Sequence, residues 1–460
     1  MANDNSAALP QFWALTGLRI LMEQTPALSA VNRQFAPDTA RAGNQVNAWR
    51  ADKRTIRRKT AADAYTAGDA NLTPVPVVLD QYFFDSFVIK DEEDALSITE
   101  LTRTHALPAI QTIASGVNRA ILGRVHAFLR QGSPEKRAGR LGQMTKTNAS
   151  DFVLEAEEVL AGNLAPMEGL RTAIVHHTAR TKLMGSPDFS RVDGRGVDQA
   201  TVRTGQVGVV YNTAVIMSQD VNYVNAANAD TETKAINNAA GYAAGIATAL
   251  TTDGGGTAYS VGEYVNIEGN DQPTYATAAT STTSVTLNEA LKYAVLDDAV
   301  ITHYQKAVNE ATERVAGYQK EMTFTHAASK NLQVGQIVSF GTTTRHDYTV
   351  IERSATTSTT STVLLDRPLE ITVASGADAF PGPAGSMNPI LHEDAIAFVS
   401  RPMKEVNPRG GANSAVVNFD GIGIRVVEQY DSSAGGWRYN VDLLAGVSVL
   451  DVDLLCVLCA

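Results

Sequence analysis

The sequence predicts an α+β protein that carries an all-β insert, and three observations predict it. Apolar residues recur at spacings of three and four from Ile110 to Phe128, the mark of a long amphipathic helix. Residues 148–218 mix helix and strand signals, as a small α/β or α+β domain does. Between 226 and 385 short β-branched segments alternate with Gly/Ser/Thr turns, without a helical period.

At 460 residues the chain can bury a substantial core and form two or three domains. Hydrophobic residues make up 44% and charged residues 19%, a globular rather than a disordered balance. The net charge of −11 repels DNA and anionic membranes as a whole. Two cysteines, Cys456 and Cys459, make no disulfide framework and favour synthesis in a cytosol. The N-terminal MANDNSAALPQFW lacks the basic and apolar regions of a signal peptide. The most apolar stretch, 441–460, contains Asp442, Asp451 and Asp453, which excludes a membrane helix.

Taken in order, QFWALTGLRILMEQT (11–25) predicts a short helix stopped by Pro26. Residues 26–48 are polar and rich in small residues, and read as an arm that docks on another surface. Residues 49–61 and 73–89 are two extended runs about a Gly-Asp turn. Pro74 and Pro76 cannot both sit in a central strand, so the runs predict a projecting ribbon with arms about 40 Å long. Such a ribbon is barely stable alone and needs a neighbour. The main helix then runs from Pro108, in its first turn, to Arg130, roughly 34 Å.

In the mixed region, NASDFVLEAEEVLAGN starts a helix at Ser150 or Asp151 and ends it at Gly162-Asn163. TAIVHH and QVGVVYNTAVIM each read as a strand, and ARTKLMG as a short helix. The insert contains an ordered set of matching segments with a period of about 75 residues. AGY at 240–242 returns at 316–318, and VGEYVNIEG (261–269) as VGQIVSFG (334–341). Tyr275 answers Tyr348, STTSVTL (281–287) answers STTSTVLL (358–365), and Asp298-Ala299 answers Asp378-Ala379. This predicts two similar β units forming a separable module closed by PGPAG (381–385). Beyond it, GIRVVEQY and WRYNVDLL form a hairpin across 431–436.

RADKRTIRRK (50–59) places six positive charges in an acidic chain: Arg50, Lys53, Arg54, Arg57, Arg58 and Lys59. Only Trp49 could stack on a base there and the chain is acidic, so nucleic-acid binding is disfavoured, which leaves a contact between copies of this chain or a solvated face. No GxSxG, P-loop or GxGxxG occurs. HEDAI (392–396) puts Ile396 where a zinc protease needs its second histidine. His176 and His177, adjacent on a strand, would point to opposite faces and share no metal. Cys456-x-x-Cys459 is one pair where a structural zinc site takes four ligands. Neither an enzymatic site, a metal nor a cofactor is expected.

The order of parts resembles the major capsid (coat) protein of tailed double-stranded-DNA bacteriophages, in the short-tailed branch that carries an inserted domain. The resemblance rests on LTPVPVVLDQYFFDSFVIKDEEDALSITELTRTHALPAIQTIASGVNRAIL (72–122), GVVYNTAVI (208–216), HEDAIAFVSRPM (392–403) and the terminal GIRVVEQYD and WRYNVDLLAGVSVLD. It implies an N-terminal arm (1–48), an extended E-loop hairpin (49–90) and a peripheral (P) domain with a spine helix (91–147). It also implies an axial (A) domain (148–225), the inserted β domain (226–385), and a return through the A and P domains (386–460). The expected function is self-assembly into pentamers and hexamers of an icosahedral head around packaged DNA, without specific DNA binding and without a membrane. Scaffolding, portal and decoration proteins are the implied partners; the virion is the location, with synthesis in the host bacterial cytoplasm. Asp91, Glu92, Glu93 and Asp94, with Glu155, Glu157 and Glu158, are then candidate acidic partners of the basic strip. A cellular encapsulin-like compartment shell and a β-rich carbohydrate-binding or adhesin-like protein are the alternative readings.

Overall fold

The computed structural model describes residues 8–33, 45–51, 56, 58–60, 72–90, 102–129, 136–167, 171–187, 207–224, 229–245, 248–254, 258–310, 312–342, 344–406, 412–419 and 422–460. Helix α1 (Ala8–Gln24) is followed by a 3-10 turn (Pro26–Ala30). Strands β1 (Gln45–Ala51), β2 (Leu72–Val78) and β3 (Gln81–Lys90) precede a π-helical turn (Thr102–Ala106). Helix α2 (Leu107–Gly123) carries Pro108 in its first turn, and α3 (Val125–Leu129) resumes after a break at Arg124. The expected long helix is therefore interrupted at Arg124, just after Gly123, where the side chain of Asp366 approaches so closely that a Cβ would lie 2.7 Å from its carboxylate.

Next come β4 (Arg137–Gly139), α4 (Ala149–Gly162), β5 (Arg171–Val175) and α5 (His177–Met184). β6 (Val209–Val210), β7 (Thr213–Met217) and β8 (Tyr223–Val224) follow. Among the described residues the insert holds two sets of six strands. The first set is β9 (Ala229–Ala235), β10 (Ala249–Thr251), β11 (Tyr264–Ile267), β12 (Thr277–Thr280), β13 (Ser284–Leu287) and β14 (Val300–Tyr304). The second is β15 (Ala307–Asn309), β16 (Met322–Thr325), β17 (Ile337–Phe340), β18 (His346–Thr356), β19 (Thr360–Leu365) and β20 (Asp378–Pro381). The chain ends with β21 (Gly385–Leu391), β22 (Ile396–Arg401), β23 (Ala412–Phe419), β24 (Ile422–Asp431), β25 (Gly436–Val449) and β26 (Leu455–Cys459).

Two compact units emerge: 1–20, 31–113 and 394–451 form one; 21–30, 114–393 and 452–460 form the other. In the first, an antiparallel sheet has the order β22-β25-β24-β23, with β3 laid along β25 from Gly436↔Lys90 to Ala445↔Gln81. The expected terminal hairpin closes at Asp431↔Gly436. Trp13 of α1 is 1% exposed, with its ring 4.6 Å from Tyr439 and 5.9 Å from Phe87. Asn32 bridges Ala397 in parallel and donates its side-chain amide to Asp394 at 2.6 Å. Within this unit, residues expected as an arm are thus packed on their own body, because the apolar stripe of α1 supplies a core face; 34–44 lie outside the described residues. The expected extended hairpin also ends early. Leu79 and Asp80 separate β2 from β3, and β3 alternates on a sheet rather than projecting.

The second unit contains a mixed sheet of order β4-β26-β21-β5-β7-β6, parallel at β4/β26 and β5/β7. Val153, Leu160, Leu183, Ile390, Cys456 and Leu458 belong to its buried core. Helix α4 falls where the sequence places it. QVGVVYNTAVIM, expected as one strand, is the β6–β7 hairpin: Tyr211 and Asn212 both take left-handed φ (46° and 61°), the twist a two-residue turn requires.

Strands β15–β20 form a closed barrel of order β15-β16-β19-β18-β17-β20. Strands β9–β14 repeat that order. Their two three-stranded sheets, β10-β13-β12 and β11-β14-β9, are joined by antiparallel bridges Ile236↔Thr252 and Tyr264↔Ala276. A β-bulge recurs at Thr277/Ala279 and at Val350/Glu352. The same pairing aligns Tyr275 with Tyr348 and Val285 with Val363. It corrects two other matches. Gly245 and Gly317 each donate to a leucine carbonyl, Leu291 and Leu369, at 2.7 Å, which slips the AGY alignment by four residues. Asp298 aligns with Gly376, both left-handed (61° and 72°), rather than with Asp378.

Candidate interaction surface

The β1–β2 ribbon carries the first residue of the basic strip, Arg50. Its seven antiparallel pairs run from Gln45↔Val78 to Ala51↔Leu72. Alternation gives it two faces. On one, Val46, Ala48 and Val77 are buried in a cluster with Ala397, Val399 and Leu450. On the other, Trp49 lies opposite Pro74, Asn47 opposite Pro76 and Gln45 opposite Val78, all exposed. Trp49 is 58% exposed, a large apolar surface to leave in water. The base of the ribbon is fixed and its outer face uncovered.

Arg50, at the far end of β1, lies 3.6 Å from Asp451. Arg58 and Lys59 are exposed beside Ile56, which is 92% exposed. Lys53, Arg54, Arg57, Asp91, Glu92, Glu93 and Asp94 lie outside the described residues.

Two of the other expected acidic partners are engaged within the chain. Glu155 meets Lys292 at 3.0 Å and accepts from Tyr293 and from the Gly139 N–H. Burial works against its ionisation, but Lys292 and these donors outweigh it and hold the carboxyl below its usual 4.5. Glu157 takes Arg171 and accepts from the Thr213 hydroxyl at 2.6 Å. Glu158 alone of the three is exposed. The helical period of α4 displays these carboxylates in sequence, but their partners come from strands far along the chain.

The sequence reading missed two further features of the first unit. The apolar outer face of the ribbon was visible in the i, i+2 placement of Pro74, Pro76 and Val78. On β3, Tyr82 and Phe84 share an exposed face with ring centroids 5.9 Å apart, Phe84 being 65% exposed. Tyr82 donates to Asp442 at 2.9 Å, and Asp442 also holds Arg425 at 2.6 Å.

His176 and His177 do not point to opposite faces. The strand stops at Val175 and His176 caps α5, so the rings lie 4.0 Å apart, with His176 stacked 4.1 Å from Tyr223. Burial, and then His177, push the His176 pKa down to about 4. Among the described residues no group of three or more His, Cys, Asp or Glu side chains could hold a metal ion. Cys456 and Cys459 are buried thiols on β26. Among the described residues no helix is long and apolar enough to cross a membrane.

No family model matches the chain, and no curated protein sequence matches it. Among solved structures it is similar to one from Mycobacterium phage Che8, at 12% identity and a TM-score of 0.43, covering 94% of this chain and 90% of that one. It is also similar to the capsid structure of the cyanophage P-SCSP1u, at 9% identity and a TM-score of 0.41, over 90% of this chain and 83% of the other. A third is the asymmetric unit of the bacteriophage PhiM1 mature capsid, at 10% identity and a TM-score of 0.39, over 90% and 81%.

Proposed function

We propose that this chain is a structural shell protein, the major capsid protein of a tailed bacteriophage, which assembles with its own copies into the icosahedral head around double-stranded DNA. The observation that carries the proposal is the ribbon. It is buried on one face, uncovered and partly apolar on the other, and carries Arg50 at its far end, in a chain of net charge −11. Its own unit covers the inner face, and a second copy laid against Trp49, Pro74, Pro76 and Val78 would cover the outer one. The basic residues would meet carboxylates of the adjacent copy, with Asp91 to Asp94 and Glu158 as candidates. Each exposed pair contributes only about 0–1 kcal/mol, but a set repeated around every subunit fixes register and steers assembly.

The order of sequence segments supports the short-tailed branch with its inserted domain. Pentamers and hexamers of the chain are the proposed assembly, with scaffolding, portal and decoration proteins as partners. The acidic balance suits an inner wall that holds no specific grip on packed DNA. The role is structural, not catalytic.

Negative-stain microscopy and sedimentation of the purified protein test this. The native chain is expected to form closed shells, alone or with its scaffold. Trp49→Ala combined with Arg58→Glu and Lys59→Glu is expected to leave the circular dichroism unchanged and to abolish them, since exposed substitutions usually alter stability little. Normal shells from the triple variant would remove the ribbon from the interface.

A further inference from the structure

The two six-stranded units of the insert share one strand order, and the likeness extends to how each is seated. The Thr277 N–H and the Val350 N–H both return to the residue after a left-handed glycine, Glu263 and Gln336. Eight residues separate Ile267 from Tyr275 and eight separate Phe340 from Tyr348, so Gln272 and Arg345 occupy the same place in the loop between the third and fourth strands.

These two side chains make the same contact with different bodies. Gln272 donates its amide to the carbonyl of Gly139, on β4, at 3.0 Å. Arg345 donates its guanidinium to the carbonyl of Gly262, in the first barrel, and lies 4.8 Å over the Tyr264 ring. Both acceptor glycines are left-handed (74° and 97°), a backbone state that other residues rarely adopt. Gly262 and its equivalent Gly335 are also points of close approach. A Cβ on Gly262 would lie 2.7 Å from the Phe380 ring of the second barrel, and one on Gly335 would lie 2.8 Å from the Tyr223 carbonyl.

The contacts therefore run in a circuit. The first barrel seats its loop on β4, the second seats its loop on the first, and the second receives β8 at its own glycine. Further polar contacts fix the start of the circuit: Arg137 meets Glu289 at 2.8 Å and the Leu141 N–H donates to the Asp271 carbonyl at 3.0 Å. At the other end, His126 bonds Thr349 at 2.6 Å. These contacts run against the separable module expected from the turn-rich flanks.

We propose that the insert is a closed head-to-tail stack of one duplicated barrel, in which Gln272 and Arg345 are equivalent locking residues that join both barrels and the mixed sheet into one opening unit. The circuit makes a distinctive demand. Releasing the lock of one barrel must loosen the other, because local opening follows cooperative units rather than single contacts.

Hydrogen exchange measured by mass spectrometry on the full chain tests this with Arg345→Ala, Arg345→Gln and Gln272→Ala. Gln272→Ala is expected to speed exchange roughly tenfold in β11 and also in β17, whose barrel Gln272 does not lock. Arg345→Ala is expected to do the same, and Arg345→Gln, which restores the donor used in the first barrel, to recover most of the protection. Exchange that rises only in the loop carrying the substitution, or only in the barrel carrying it, overturns the proposal. Should Arg345→Ala fail to fold, Gln272→Ala and Arg345→Gln still decide between these outcomes.

Discussion

The hydroxyl of Tyr348 accepts the backbone N–H of Glu370 at 2.8 Å, across 22 residues of the second barrel. Tyr275 accepts the N–H of Lys292 in the same way at 2.6 Å in the first. Both tyrosines are fully buried and belong to the apolar core of their barrel. Each phenol therefore fills the core with its ring and closes the barrel's far loop with its oxygen. The neighbouring side chain repeats too: Asn288 accepts from the Ala276 N–H at 2.8 Å, and Asp366 from the Thr349 N–H at 2.7 Å.

Tyr348→Phe keeps the ring and strands the Glu370 amide. The expected loss is about 0.5–1.5 kcal/mol, the net contribution of one hydrogen bond, since Glu370 itself lies at the surface. Urea unfolding followed by circular dichroism would measure it, with Tyr275→Phe expected to cost as much. Tyr318→Phe, whose hydroxyl reaches the Glu321 carbonyl at an exposed site, is the control and should change little.

Burial pushes Tyr275, Tyr304 and Tyr348 each up to about 12, from the usual 10.0. Above pH 10 the unfolded chain releases these protons while the folded chain retains them. Their contribution to stability is complete below pH 10 and declines as pH rises toward 12. Thermal unfolding between pH 8 and pH 12 should show a fall in midpoint confined to the upper half of that range. Phenylalanine at these positions should flatten it.

The acid side depends on His176. With its pKa pushed down from 6.5 to about 4 by burial and by His177, it stays neutral in the folded chain where the unfolded chain takes up a proton. Its contribution is complete above pH 6.5 and is lost as pH falls toward 4. His176→Gln is expected to reduce the slope of stability against pH in that window. An unchanged slope would place the sensitivity elsewhere.

Trp13→Ala removes the indole between Phe87 and Tyr439. A loss of about 3–5 kcal/mol is expected, typical of deleting a buried aromatic side chain. Proteolysis of the intact chain should then begin within α1. A variant as stable as the parent would mean that α1 contributes no core to its unit.

Much of the local structure is determined by the sequence alone. α1, α4 and the β24–β25 hairpin form where apolar spacing, a helix stop or a turn marks them, because each depends on neighbours within a few residues. The repeated strand–turn pattern of the insert is legible for the same reason, as is the pairing of Tyr275 with Tyr348. Tertiary structure decided the rest. Nothing near Leu79 announces that β2 leaves in a ribbon while β3 joins β25, since that choice rests on a strand more than 350 residues away. Glu155 and Glu157 read as partners for the basic strip until Lys292 and Arg171 are folded onto them. The same holds for Gly139 and Gly262. Their sequence permits a left-handed turn, but only the approach of Gln272 and Arg345 makes each carbonyl a seat, because a contact between distant segments has no local signature.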